Sequence, residues 1–207
     1  MSKLLDEKRN IVRRLGFGSI LDFNCYSSVN EIFVWLVNQF DSNSPTVVLD
    51  DGFSFTLCPS IVFQVLGFPQ GPKPVETKLT NEACAFIHNI VHMESPNAEY
   101  LCSLLNDELD EESFKCIFML TLLTTFIAPN ASGVANSSYY PNIIDVLLIP
   151  ERDWCSFTLN ILLQHIKKYK LRRLQNINTD IGGCKFILVV NYSTIASFFM
   201  HIWIQNI

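Results

Sequence analysis

The sequence predicts a mainly α-helical, irregular multi-helix globular domain with one short β-hairpin. Apolar residues recur at spacings of three and four along most of the chain, and they alternate only around residues 46–57. Gly and Pro punctuate the helical stretches where helix ends are expected. With 49% hydrophobic residues, 16 phenylalanines and 17% charged residues in 207, disorder is excluded. For a chain of 23.6 kDa, roughly 70% of the unfolded surface is expected to be buried. A single module over residues 1–207 follows, with a seam between two lobes near 69–78.

Residues 4–15 form an amphipathic opening helix that stops at Gly16, a residue suited to a helix C-cap. Ser27 or Ser28 caps a second helix running to about Phe40, with Ile32, Trp35, Leu36 and Phe40 at helical spacing. Residues 46–49 and 53–57, joined through Asp50-Asp51-Gly52, read as the hairpin. Pro59 starts a brief helix that ends before Gly67. The proline-rich stretch 69–74 fits neither a helix nor a central strand.

Helices resume over 80–93 and 96–105. The acidic residues Asp107, Glu108, Asp110, Glu111 and Glu112 precede an apolar helix over 114–127, where carboxylates favour the dipole, and Pro129 closes it. After a polar loop at 130–138, residues 139–149 read as a short helix. Residues 151–173 read as a long amphipathic helix with Trp154, Phe157, Ile161, Leu162, Ile166 and Tyr169 inward. Gly182-Gly183 opens a last apolar helix.

Several function classes are disfavoured. The balance of 15 Lys+Arg against 20 Asp+Glu, net −5, argues against a generally cationic coat but leaves local basic patches open. Seven cysteines with no C-x-x-C pair fit neither a disulfide framework nor a zinc knuckle. The opening MSKLLDEKRNIVRR lacks the apolar core of a signal peptide, so an intracellular, reducing compartment is expected. The apolar stretch 186–204 contains Asn191, Ser193, Thr194, Ser197 and His201, each costly in lipid, and reads as a core helix rather than a membrane span.

Candidate chemistry is sparse. Cys84, His88 and His92 share one helical face, but Asn89 stands where a zincin needs its glutamate, so they read as packed or partly exposed side chains. Gly16-Phe17-Gly18 lacks the third glycine of a dinucleotide fingerprint, since Leu21 takes its place. No phosphate-cradling P-loop or nucleophile elbow occurs. No catalytic, cofactor-binding or metal-binding residue is therefore expected. The one concentrated basic feature is Lys167, Lys168, Lys170, Arg172 and Arg173, candidate nucleic-acid contacts with Tyr169 placed to stack on a base. The same cations also suit a helix C-terminus for dipole reasons alone. Lys8, Arg9, Arg13 and Arg14 extend this patch if the fold unites the two helices.

Seven groups of residues, in order, carry a family resemblance: Arg14-Leu15-Gly16-Phe17-Gly18; Trp35-Leu36-Val37 with Phe40-Asp41; Val65-Leu66-Gly67-Phe68-Pro69-Gln70-Gly71; Phe114-Lys115 followed by Phe126-Ile127-Ala128-Pro129; Asp145; Asp153-Trp154; and Gly182-Gly183-Cys184. Together they resemble the plant mobile domain family, also labelled aminotransferase-like, over roughly residues 9–192. The positions expected to be structural are Gly16, Gly18, Trp35, Gly67, Pro69, Pro129, Asp153, Trp154, Gly182 and Gly183.

The resemblance implies a mostly helical nuclear module of transposon origin, linked to transposable-element silencing or genome maintenance, with no catalytic residues to transfer. A non-enzymatic interaction module with protein or chromatin partners is thus the leading expectation, and nucleic-acid binding through 167–173 is the alternative. A pyridoxal-phosphate enzyme needs a Schiff-base lysine and a phosphate cup. Lys185, beside the glycine pair, is the only lysine in a suggestive setting, and transferase chemistry is not expected. Members of that family commonly continue past the G-G-C segment, so a chain ending at Ile207 reads as a truncated copy.

Overall fold

Helix α1 (Asp6–Arg14) has Asp6 and Glu7 in its first turn and Arg13 and Arg14 in its last, so both ends complement the helix dipole. The chain then turns at Gly16, whose φ of +86° is strained for any residue with a Cβ. The computed structural model describes residues 4–22, 29–41, 44–50, 52–175, 177 and 181–205. Ser27, Ser28 and Asp51, expected as caps and turn residue, lie outside these.

Helix α2 (Val29–Asn38) leads to the hairpin of β1 (Thr46–Val48) and β2 (Ser54–Thr56), antiparallel with Val47 opposite Phe55. Helix α3 (Pro59–Leu66) carries proline in its first turn and ends on Gly67 at φ +62°. Side-chain caps begin the next three helices. Thr80 accepts from Ala83 N–H at α4 (Asn81–Val91), Asn97 from Tyr100 N–H at α5 (Ala98–Leu104), and Asp110 from Ser113 N–H at α6 (Glu111–Leu122). Helix α6 continues into a π-helical turn at Leu123–Ile127. There the hydroxyls of Thr121, Thr124 and Thr125 each donate to the carbonyl four residues back. Helix α7 (Trp154–Leu174) is capped by Asp153, and α8 (Phe186–Gln205) completes a mainly α-helical fold with one hairpin.

Two expectations are corrected. Residues 139–149 do not form one helix; 3₁₀ turns at Ser137–Asn142 and Ile149–Glu151 flank irregular backbone. Pro141 offers no N–H, and the Asn142 side chain bonds Glu76 instead, accepting from its N–H and donating to its carbonyl, both at 2.7 Å. On α2 the buried stripe is Phe33, Leu36 and Val37, whereas Ile32 is 41% and Trp35 38% exposed. The Trp35 ring meets Tyr192 of α8 edge to face at 5.5 Å.

The core centres on α6, from Cys116 to Leu122 wholly buried, and on Trp154. Phe17 touches Phe68, Trp154 and Phe118 at ring distances of 4.9, 5.9 and 6.2 Å. Burying each such ring contributes about 1.5–3 kcal/mol, so this cluster joins the N-terminal turn, the segment after α3, α6 and α7 into one core.

The proline-rich stretch is tied to the start of α7. Gly71 N–H donates to the Arg152 carbonyl (3.1 Å), Lys73 N–H to Glu151 (3.0 Å), Asp153 N–H to Lys73 (2.7 Å) and Trp154 N–H to Pro69 (3.0 Å). The Lys73 ammonium also pairs with the Glu151 carboxylate at 2.6 Å. Pro69 in turn packs on Gly16, where a Cβ would stand 2.7 Å from the proline Cγ. Among the described residues no helix is long and apolar enough to cross a membrane.

Candidate anion-binding cleft beside helix α7

Successive residues of a helix are about 100° apart, so five cations between 167 and 173 cannot share one face. Lys168 and Arg172, four residues apart, line a cleft of about 460 Å³ on one side of α7. Lys167 and Lys170 line a groove of about 440 Å³ on the other. The Lys170 ammonium donates to the Phe40 carbonyl, and its partial burial lowers its pKa, with nearby Asp41 opposing. Arg173 is exposed.

The cleft is completed from outside α7. The turn Gly182-Gly183 lies flat against the helix: a Cβ on Gly182 would stand 2.6 Å from His165 Cε1 and 3.1 Å from the Pro129 carbonyl oxygen. Gly183 has φ +83°, and a Cβ there would meet the Leu162 backbone at 3.1 Å. This close seating places Lys185 in the cleft with Lys168 and Arg172. The Lys185 ammonium also lies 5.6 Å from the Phe33 ring centroid, a cation–π distance. Partial burial, with Lys168 adding to it, lowers the His165 pKa and favours the neutral imidazole.

Tyr169 does not provide a stacking platform, because its residue is only 7% exposed and packs in the core. The basic residues of α1 do not lengthen the patch either. Lys8 donates to the carbonyls of Leu105 and Asp107, both at 2.7 Å, with its ammonium over the Phe114 ring. Arg9 pairs with Asp22 at 3.7 Å and Arg14 with Glu111 at 2.9 Å, while Arg13 bonds Asn10. Lys8 and Arg14 are thus held toward the end of α5 and the start of α6, while Arg9 and Arg13 find partners at Asp22 and within α1.

The other candidate residues have local roles. His92 ends α4 in the left-handed region at φ +56°, off the helical face it was expected to share with Cys84 and His88, and both histidines are exposed. Among the described residues no group of three or more His, Cys, Asp or Glu side chains stands together to hold a metal ion. The buried thiols of Cys116 and Cys155 donate to the carbonyls of Ile143 and Phe68, and burial pushes each pKa up to about 12.

The motif positions have backbone or packing roles. Gly16 and Gly67 adopt positive φ, a Cβ on Gly18 would press Arg13, and Asp153 caps α7. The fully buried Trp154 indole donates to the Ile149 carbonyl at 2.7 Å.

Fold and cleft together define a mainly α-helical domain with cations converging from two elements. Residues 1–189 match the family described as a domain of unknown function, DUF8566, and the chain belongs to that family. No curated protein and no solved structure matches the chain. Sequence reasoning weighed Lys185 only as a Schiff-base lysine and did not assign His165 to any site. The only signal for them is the glycine pair, which marks a close backbone approach without saying to what.

Proposed function

We propose that the protein is a non-enzymatic binding module whose α7 cleft holds phosphate groups of a nucleic acid. The observation that supports this most is the convergence of Lys168 and Arg172 with Lys185, from a separate element, on one cavity. Cations that neutralise phosphates release bound counterions, so binding should weaken as salt rises. Contacts of this kind favour the backbone over base edges, so weak sequence preference is expected. The net charge of −5 confines the attraction to this local patch.

The wider reading follows the ordered motifs. The protein is proposed to be a plant-mobile-domain-like module of transposon origin that works in the nucleus with protein or chromatin partners, in transposable-element silencing or genome maintenance. Support comes from the roles of the motif residues, which hold backbone segments together rather than present reactive groups.

Fluorescence anisotropy with labelled single- and double-stranded DNA over a salt series tests the cleft. Binding that weakens as salt rises supports the proposal; binding absent at 50 mM salt rejects it. Cell fractionation tests the wider reading, and a purely cytosolic pool without nuclear partners rejects that part alone.

A further inference from the structure

The groove across α7 from the cleft is of a different character. Its walls are Leu163, Ile166, Leu171 and Leu174 of α7 and, facing them, Phe40 and Pro45. The four α7 residues follow helical spacing and form a stripe of about 16 Å, eleven residue rises. Its floor is buried at Ile166, but its far end is open: Leu171 is 54% and Leu174 82% exposed. Two leucines three residues apart, on the side of a helix that also borders a cavity, present apolar surface to water next to a preformed recess. Lys167, exposed, and Lys170 stand beside this stripe, and Asp41 is the one carboxylate among the described lining residues.

We infer that the groove docks an amphipathic, acidic helix of a partner protein. Length argues for a helix, since 16 Å accommodates two to three turns and receives apolar anchors at i, i+3 or i+4, and i+7. Charge argues for acidity. Lys170 is already held at the Phe40 carbonyl beside Asp41, Lys167 is exposed at the rim, and the α7 segment 167–173 contains no acidic residue, so carboxylates flanking the anchors meet Lys167 without facing an acid on this stretch of helix. Leu171 and Leu174 are the residues whose burial drives docking, and Lys167 sets the charge preference. The inference does not depend on nucleic-acid binding, because the two cavities share no lining residue.

A displayed library of random 12-residue peptides, selected on the whole protein, tests it. Enriched sequences should carry apolar residues at helical spacing with Asp or Glu beside them. Affinity of the enriched peptide, read by anisotropy, should fall about tenfold or more in the double variant Leu171→Glu/Leu174→Glu and several-fold in Lys167→Glu. Arg14→Glu, on α1 and outside both cavities, should leave it unchanged. Far-UV circular dichroism verifies folding of the variants, and the single Leu174→Glu at the most exposed position serves if the double variant unfolds. Enrichment of basic peptides, no enrichment over the double variant, or affinity indifferent to Leu174→Glu overturns the inference. So does a concentration-dependent dimer that Leu174→Glu disperses, which assigns the groove to a second copy of the chain.

Discussion

Gly71 and Glu151 meet backbone to backbone, so closely that a Cβ on Gly71 would overlap the Glu151 carbonyl. No rotamer relieves such a contact, because both partners are main chain. Gly71→Ala must therefore separate the loop from the start of α7 and strain the bonds of Gly71 to Arg152 and Lys73 to Glu151. A loss of about 2–4 kcal/mol is expected in urea unfolding. Gly133 has φ +64° with open space around its Cβ position, so Gly133→Asn meets only backbone strain, which Asn tolerates better than most residues, and should cost less, about 1 kcal/mol.

Charge reversal separates the cleft from the rest of the basic surface. Lys168→Glu and Arg172→Glu should each weaken DNA binding and flatten the salt slope by about 1 or more. Arg14→Glu breaks only the exposed pair with Glu111, and the slope should not change. Equal effects from all three substitutions would contradict a localised cleft.

His165 predicts a pH dependence with a definite sign. Partial burial and then Lys168 lower its folded pKa below 6.5, so the unfolded chain binds the proton more tightly. The contribution to stability is complete above about pH 6.5 and declines as the pH falls through that value toward the folded pKa. Denaturation midpoints measured between pH 7.5 and about 5 should show this decline, and His165→Gln should reduce it. Lys168→Gln removes a like charge, and NMR titration should then find the His165 pKa raised.

Thiol chemistry should divide by burial. Cys116 and Cys155 are buried, and their pKa values of about 12 leave almost no thiolate at neutral pH. Cys102 is exposed. Iodoacetamide at pH 8 should alkylate Cys102 in minutes and leave the other two intact until denaturant is added, as peptide mass spectrometry reads directly.

Local signals account for most of what the sequence made legible. Thr80, Asn97, Asp110 and Asp153 each stand where a helix begins, and Gly16 and Gly67 stand at positive φ where helices end, because capping depends on residues only a few positions apart. The inward face of α7 followed from periodicity for the same reason. What local signals could not fix was the partner of each face. Trp35 and Ile32 fall on the half-exposed side of α2, a choice made by tertiary packing. Residues 139–149 carry an apolar pattern but are drawn out of helix by Asn142 reaching Glu76, 66 residues away. The basic run was visible, but its division between two sides of α7 needed helix geometry. The use of Lys8 by Leu105 and Asp107, nearly a hundred residues distant, was outside any local pattern.

The strap between Lys73 and Glu151 also bears on how the chain reaches its fold. Its two ends are 78 residues apart in sequence, and closing a loop of that length carries an entropic cost of roughly 4 kcal/mol. Those few bonds cannot drive closure alone. The strap is therefore expected to form late, after the aromatic cluster around Phe17 and Trp154 has drawn the ends together. Gly71 and Lys73 should then govern how fast the domain opens, with little influence on how fast it forms.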